Sequence, residues 1–161
     1  MQYPGLDCRE KRIAIVNNVL ENFDTYRFAR GIMISGLHAV SPAERPYAST
    51  PVNESLVAKL KDNGTVCLLG ALLLSRIELC QNVEWGRLGA CNRSILYDAW
   101  TLEELFSMEA AFELWDGLDN EHASWFGRMY SDNRDRARAI LENIIANDGD
   151  FKPGTMSPVA S

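Results

Sequence analysis

At 161 residues the chain has the size of one domain and is long enough to bury a core without metals or disulfides. Its 47% hydrophobic and 24% charged residues supply the apolar surface that folding needs and exclude a globally disordered chain. Against 16 Lys and Arg stand 22 Asp and Glu, and the net charge of -6 is the wrong sign for a general phosphate-backbone binder, so direct nucleic-acid binding is not expected and any protein partner is expected to be basic.

The stretch from Met1 to Gly5 leads to Asp7 and Glu10 without an apolar h-region. No secretory signal is read there, and a cytoplasmic location is expected. From Asp7 onward, Ile13, Val16, Leu20 and Phe23 recur at spacings of three and four, which predicts a first amphipathic helix. Tyr26, Phe28, Ile32 and Ile34, around Gly31, have the aromatic and β-branched composition of a short strand pair near 26–35. Residues 38–52 contain Pro42, Pro46 and Pro51 and read as a long surface loop beginning at His38. Asn53 can cap a short helix with Leu56, Val57 and Leu60 on one face, ending at Asn63 and Gly64.

The run from Val66 to Leu74 is apolar on every side and predicts a buried central helix over 65–80, continued by Ile77 and Leu79. It is far shorter than the roughly 20 residues that cross a bilayer, so no membrane span is predicted. Residues 82–94 read as a second loop, pinned by Trp85 and Leu88. Thr101 and Glu104 form a capping-box pattern that opens a helix from Leu102 to about Trp115, with Leu105, Met108, Phe112 and Trp115 as its stripe and Asp116-Gly117 as its stop. The last helix starts at Asp132 and runs through Ala137, Ile140, Leu141, Ile144 and Ile145 to Asn147. Pro153, Gly154 and Pro158 mark residues 152–161 as a flexible tail. The expected architecture is one mainly α domain over 1–151 around the buried helix, or α+β if the strand pair forms.

Cys67-Leu68-Leu69-Gly70-Ala71-Leu72 resembles the C-x-x-G-A-hydrophobic helix of small actinobacterial and phage proteins of uncharacterised function. Those proteins share an upstream aromatic-to-Gly stretch, here Tyr26 to Gly31, and an Asn/Asp pair before the last helix, here Asp132-Asn133 in reversed order. The resemblance implies a phage or bacterial origin, without implying an activity.

Two constellations carry candidate chemistry. Cys67 stands at the start of the buried helix, where the helix dipole would lower a thiol's pKa, and His122 and Asp132 follow in the order used by papain-like cysteine hydrolases. The plainer reading of a cysteine before Leu68-Leu69 is a small core residue. The second constellation is charge: seven acids and no Lys or Arg fall in 101–121, while residues 1–100 hold 11 basic and 10 acidic residues and residues 101–161 hold 5 and 12. Glu103, Glu109, Glu113 and Asp116 are the expected partner-binding residues of an acidic face docking a basic groove of the nucleic-acid-binding kind, against the plainer reading of a solvated helix face.

Cys8, Cys67, Cys80 and Cys91 contain no CxxC and are expected to be reduced, and Asp116, Asp119, Glu121 and His122 match no EF-hand frame, so no metal is expected. Arg128, Arg134, Arg136 and Arg138 are read as a salt-bridged surface. No GxxxxGK[ST], GxGxxG, GxSxG or HExxH pattern is present, and no cofactor is expected. The reading favoured by sequence is a small acidic phage or bacterial protein that binds, and inhibits or regulates, a basic host protein. The alternative is a cysteine-dependent hydrolase built on Cys67, His122 and Asp132.

Overall fold

Helix α1 (Cys8–Glu21) opens with a complete capping box, in which Asp7 accepts the Glu10 amide at 2.8 Å and Glu10 accepts the Asp7 amide at 3.1 Å. These and all other contacts are those of a computed structural model that describes residues 2–40, 47–90, 93–117 and 121–154. The face of α1 that enters the core is Arg12, Ile15, Val16 and Val19. Of the stripe read from spacing, Ile13 and Leu20 are only half-buried, and Phe23 is buried from a 3-10 turn beyond the helix. An arginine on the inner side displaced the apparent face. Arg12 packs its stem inward while its guanidinium reaches Glu104 at 2.8 Å and Asp150 at 3.1 Å.

Asn53 caps helix α2 (Glu54–Asp62) by accepting the Leu56 amide at 2.9 Å, and Val57 and Leu60 face the core as their spacing predicts. Helix α3 (Leu68–Leu79) is enclosed from Leu68 to Ile77 and packs against α1 and α2. It is shorter than the predicted 65–80 helix because residues 65–67 do another job. Val66 donates its amide to the Arg27 carbonyl and accepts from Ala29, both at 2.9 Å, while on its other edge Thr65 accepts from Ser35 at 2.9 Å and Cys67 donates to Met33 at 3.0 Å. Phe28 thus bridges Val66 in parallel and Ile34 bridges it antiparallel. The strand pair expected within 26–35 does not form: each half pairs with 65–67, not with the other. Gly70, in the first turn of α3, lets the helix press against this arrangement, since a Cβ there would collide with the Met33 carbonyl oxygen.

Two loop readings are corrected. Residues 48–52 dock by backbone hydrogen bonds onto 83–86, with Val52 to Val83 at 2.8 Å and Trp85 to Thr50 at 2.9 Å, while residues 41–46 of the proline-rich stretch lie outside the described residues. The predicted second loop contains helix α4 (Trp85–Gly89), which buries Leu88, and a 3-10 turn at Arg93–Leu96.

Thr101 and Glu104 make the expected capping box of helix α5 (Leu102–Glu113), which packs against α3 and buries Leu105, Met108 and Phe112. The helix stops earlier than predicted, at Leu114, whose φ of 59° breaks the ladder and leaves Trp115 outside. Helix α6 (Glu121–Arg128) was not predicted. It lies closely on α5, with Gly127 placed where a Cβ would collide with the Ala111 carbonyl oxygen. Helix α7 (Asn133–Ala146) is capped by Asp132, which accepts the Asp135 amide at 3.0 Å, and buries Ala137, Ile140, Leu141 and Ile144 against α1 and α5.

The architecture is therefore mainly helical, without a sheet among the described residues. Among them, no helix is long and apolar enough to cross a membrane. At Lys152, where the flexible tail was expected to begin, the chain is still held: the Lys152 amide donates to Asn143 at 2.8 Å, and the Asn143 side chain donates to the Lys152 carbonyl at 2.9 Å. Residues 155–161 of that tail lie outside the described residues.

Candidate functional site

The crossing of residues 29–33 from one edge of Val66 to the other carries Arg30 and Gly31 to the C-terminal end of α5. There they enclose a cleft of about 450 Å³ with Met33, Cys67, Arg93, Glu109, Glu113 and Trp115. Gly31, at φ 101°, turns the chain in a way that disfavours any side chain and aims its amide at Glu113, reaching Oε1 at 2.8 Å and Oε2 at 3.1 Å. On the opposite wall Arg93 grips Glu109 through two nitrogens, with Nη2 to Oε2 at 2.8 Å, and this partner holds the guanidinium pKa above its ordinary value. Arg30 is exposed and makes one long contact, 3.4 Å to the Glu113 carbonyl.

Cys67 occupies the N-cap position of α3 without a side-chain capping bond and lines the cleft, but only 6% of it is exposed. Burial is the largest influence on its thiol and raises the pKa from 9.0 to about 12, while the N–H groups of Gly70 and Leu69 pull weakly the other way. The lowering expected from the helix dipole is overcome by desolvation, and the thiol is neutral. His122 is exposed in the first turn of α6, and Asp132 is occupied capping α7. No hydrogen bond joins Cys67, His122 and Asp132, so the structure does not assemble the hydrolase set. Cys8, Cys67 and Cys80 are free thiols, and Cys91 lies outside the described residues. No group of three metal-ligating side chains occurs among the described residues, which exclude Asp119.

The four acids singled out by sequence do not share one face. Glu103 borders a cleft of about 350 Å³ with Trp100, Met108 and Phe151. Glu109 and Glu113 line the Cys67 cleft, and Glu109 is only 5% exposed, which removes it from any solvated acidic stripe. Asp116 is exposed, pairs with Arg128 and borders a third cleft of about 270 Å³ with Glu121, Ser124 and Trp125. The arginine reading needs one correction as well. Arg134 pairs with Asp24 and Arg138 stacks on Phe23, but Arg136 is 1% exposed and donates to the carbonyls of Phe112, Tyr130 and Ser131.

Sequence reasoning missed the aromatic surface between these clefts. Leu102 and Phe106 lie one turn apart on α5, both exposed, and Phe106 meets the exposed Trp115 edge-on with ring centroids 6.5 Å apart. The guanidinium of Arg93 lies 5.7 Å from the Phe106 ring. The available signal was the i, i+4 spacing of Leu102 and Phe106 off the Leu105–Met108–Phe112 stripe. Trp115 was misassigned to the core because the left-handed Leu114 is not legible beforehand. No protein-family model matches the chain, and no curated protein or solved structure is significantly similar to it.

Proposed function

We propose that this protein acts by binding another protein through the outer face of α5 and the segment that follows it, with Phe106 and Trp115 as apolar anchors and Glu103 and Asp116 as peripheral charges. The observation that carries this reading is the exposed Phe106–Trp115 pair beside Arg93, because aromatic and arginine side chains supply most interface binding energy. The partner is a protein with a basic contact surface of the nucleic-acid-binding kind, since residues 101–161 hold 12 acids against 5 basic residues. Inhibition or regulation of such a protein in a bacterial or phage-infected cell is the setting that the Cys67–Leu72 resemblance supports.

The test uses the whole chain as bait in a bacterial lysate, beside a Phe106→Ser/Trp115→Ser double variant. A basic protein retained by the first and lost by the second, then bound in purified form with an on-rate that falls as salt rises, is the expected result. Equal retention by both baits removes the α5 face from the contact.

A further inference from the structure

Helix α6 turns Ala123, Ser124 and Gly127 inward, and Ser124 belongs to a second face as well. Glu121, Ser124, Trp125 and Arg128 stand at i, i+3, i+4 and i+7 and form one wall of the cleft of about 270 Å³, with Asp116 and Gly117 opposite. Leu114, at φ 59°, ends α5, and Gly117, at φ 139°, bends the chain after it; between them Asp116 takes the Arg128 guanidinium. That pair is neutral as a unit. Two acids against one arginine leave the lining a net charge of -1, and it resides on Glu121, which is exposed and forms no ion pair among the described residues. Ser124 is 2% exposed, and its Oγ is buried without a hydrogen-bond partner. A buried hydroxyl in that state has lost its water and gained nothing, a cost that a bound donor would return.

We propose that this cleft seats one arginine side chain of the basic partner, an assignment that rests on the protein-binding reading above: the guanidinium donates to the Glu121 carboxylate and to Ser124 Oγ, and its plane lies on the Trp125 ring. The volume of about 270 Å³ falls below the roughly 300–1,000 Å³ of small-molecule sites and suits a single long side chain. Arginine fits better than lysine, because a planar fork of donors reaches two acceptors while stacking on an aromatic face, and it gives up its hydration more easily than an ammonium does. Arg128 does not repel the incoming charge, since Asp116 neutralises it. Asp116 follows Trp115 in the chain, so the seat adjoins that aromatic anchor and extends the contact onto α6. Attraction between an acidic region and a basic surface has no direction; a seat of this kind fixes where on the partner the arginine must stand.

The experiment titrates the purified full-length protein, with no partner present, with N-acetyl-arginine methylamide, following the indole N–H of Trp125 by NMR against that of the buried Trp100. A saturable shift with a Kd of about 1–10 mM is expected for a single side chain. The lysine analogue should bind more weakly, and the citrulline analogue, equal in shape but uncharged, more weakly still. Glu121→Gln, at an exposed position, is expected to fold and to weaken binding about threefold or more. Ser124→Ala is expected to weaken binding while its melting midpoint stays level or rises, because an unpartnered buried hydroxyl contributes nothing to the fold. No saturable shift up to about 50 mM of the arginine probe, equal binding of the citrulline probe, or unchanged affinity in Glu121→Gln or in Ser124→Ala would each overturn the seat. Capture of a basic protein through Phe106 and Trp115 would survive that failure, whereas a seat that binds the probe beside a bait that retains no basic protein would overturn the contact reading instead.

Discussion

Arg93 holds the carboxylate of Glu109 through Nε and Nη2, and the pair is lopsided: the Glu109 side chain is 6% exposed and that of Arg93 is 36% exposed. The acid depends on the arginine far more than the reverse, because a buried carboxylate without a counter-charge bears the full cost of its desolvation. Arg93→Ala is therefore expected to lower unfolding free energy by about 1–3 kcal/mol, and Arg93→Lys to recover only part of it, since an ammonium cannot reproduce the two-nitrogen grip. Urea titration of the three proteins measures this. An unchanged midpoint in Arg93→Ala would mean that water already reaches Glu109.

Cys67 makes stability depend on alkaline pH. The folded thiol keeps its proton up to about pH 12, whereas the unfolded thiol releases it near 9.0. Between these values the unfolded chain binds fewer protons, so stability is flat below about pH 9 and falls as pH rises beyond it, by at most about 1.4 kcal/mol per pH unit from this group. Burial also raises Tyr26 and, with Asp98, Tyr3, which steepens the fall above their ordinary 10.0. Denaturation curves between pH 7 and 10 should show the decline, and Cys67→Ala should flatten its first part. Near neutral pH, iodoacetamide should label the exposed Cys8 well before Cys67. Fast labelling of native Cys67 would contradict its burial.

Gly127 sets how closely α6 lies on α5. A methyl group there meets the Ala111 carbonyl oxygen, a backbone atom that cannot swing aside. Gly127→Ala is expected to cost about 1–3 kcal/mol through overpacking, although alanine is the better helix former by about 1 kcal/mol. A thermal melt decides which effect wins, and a raised midpoint would show that α6 can move outward freely.

The exposed groups of α5 and of the segment just after it should separate binding from stability. Phe106→Ser and Trp115→Ser, at positions 40% and 38% exposed, are expected to change unfolding free energy by no more than about 1 kcal/mol while abolishing partner capture. Neutralising Glu103 and Asp116 should slow association and flatten its salt dependence with little effect on dissociation. Adding Glu109→Gln to that set should instead destabilise the fold, because the Arg93 grip is lost. Kinetic traces at two salt concentrations, with matched melts, distinguish these outcomes.

The helices that could be read in advance are those whose signals are local. Asn53 and Thr101 with Glu104 cap α2 and α5 in the expected way, α7 begins where Asp132 marked its start, and the apolar spacings after them point inward. What escaped reading depended on distant partners. Phe28 and Ile34 have strand composition, but they pair with Val66, more than 30 residues on, which no periodicity encodes. Glu109 looks like its neighbouring acids until Arg93 is brought beside it from another element. Helix α6 was hidden by its length and by Gly127, although Ala123, Phe126, Gly127 and Tyr130 follow helical spacing. The position of Cys67 at a helix start was legible, and so was its burial, which decides its chemistry, from the Leu68-Leu69 that follow it.

The clasp of 27–29 and 33–35 about residues 65–67 also bears on the order of events in folding. The wall carrying Arg30 and Gly31 has no repeating hydrogen bonds of its own and is held by main-chain bonds to three residues about as far along the chain as two average helices and a loop. Closing that span costs entropy before any contact repays it, whereas α7 can form from neighbours in sequence. The Ala29, Ser35, Val66 and Cys67 amides should therefore exchange with solvent as one cooperative unit, later to gain protection during refolding than the amides of α7.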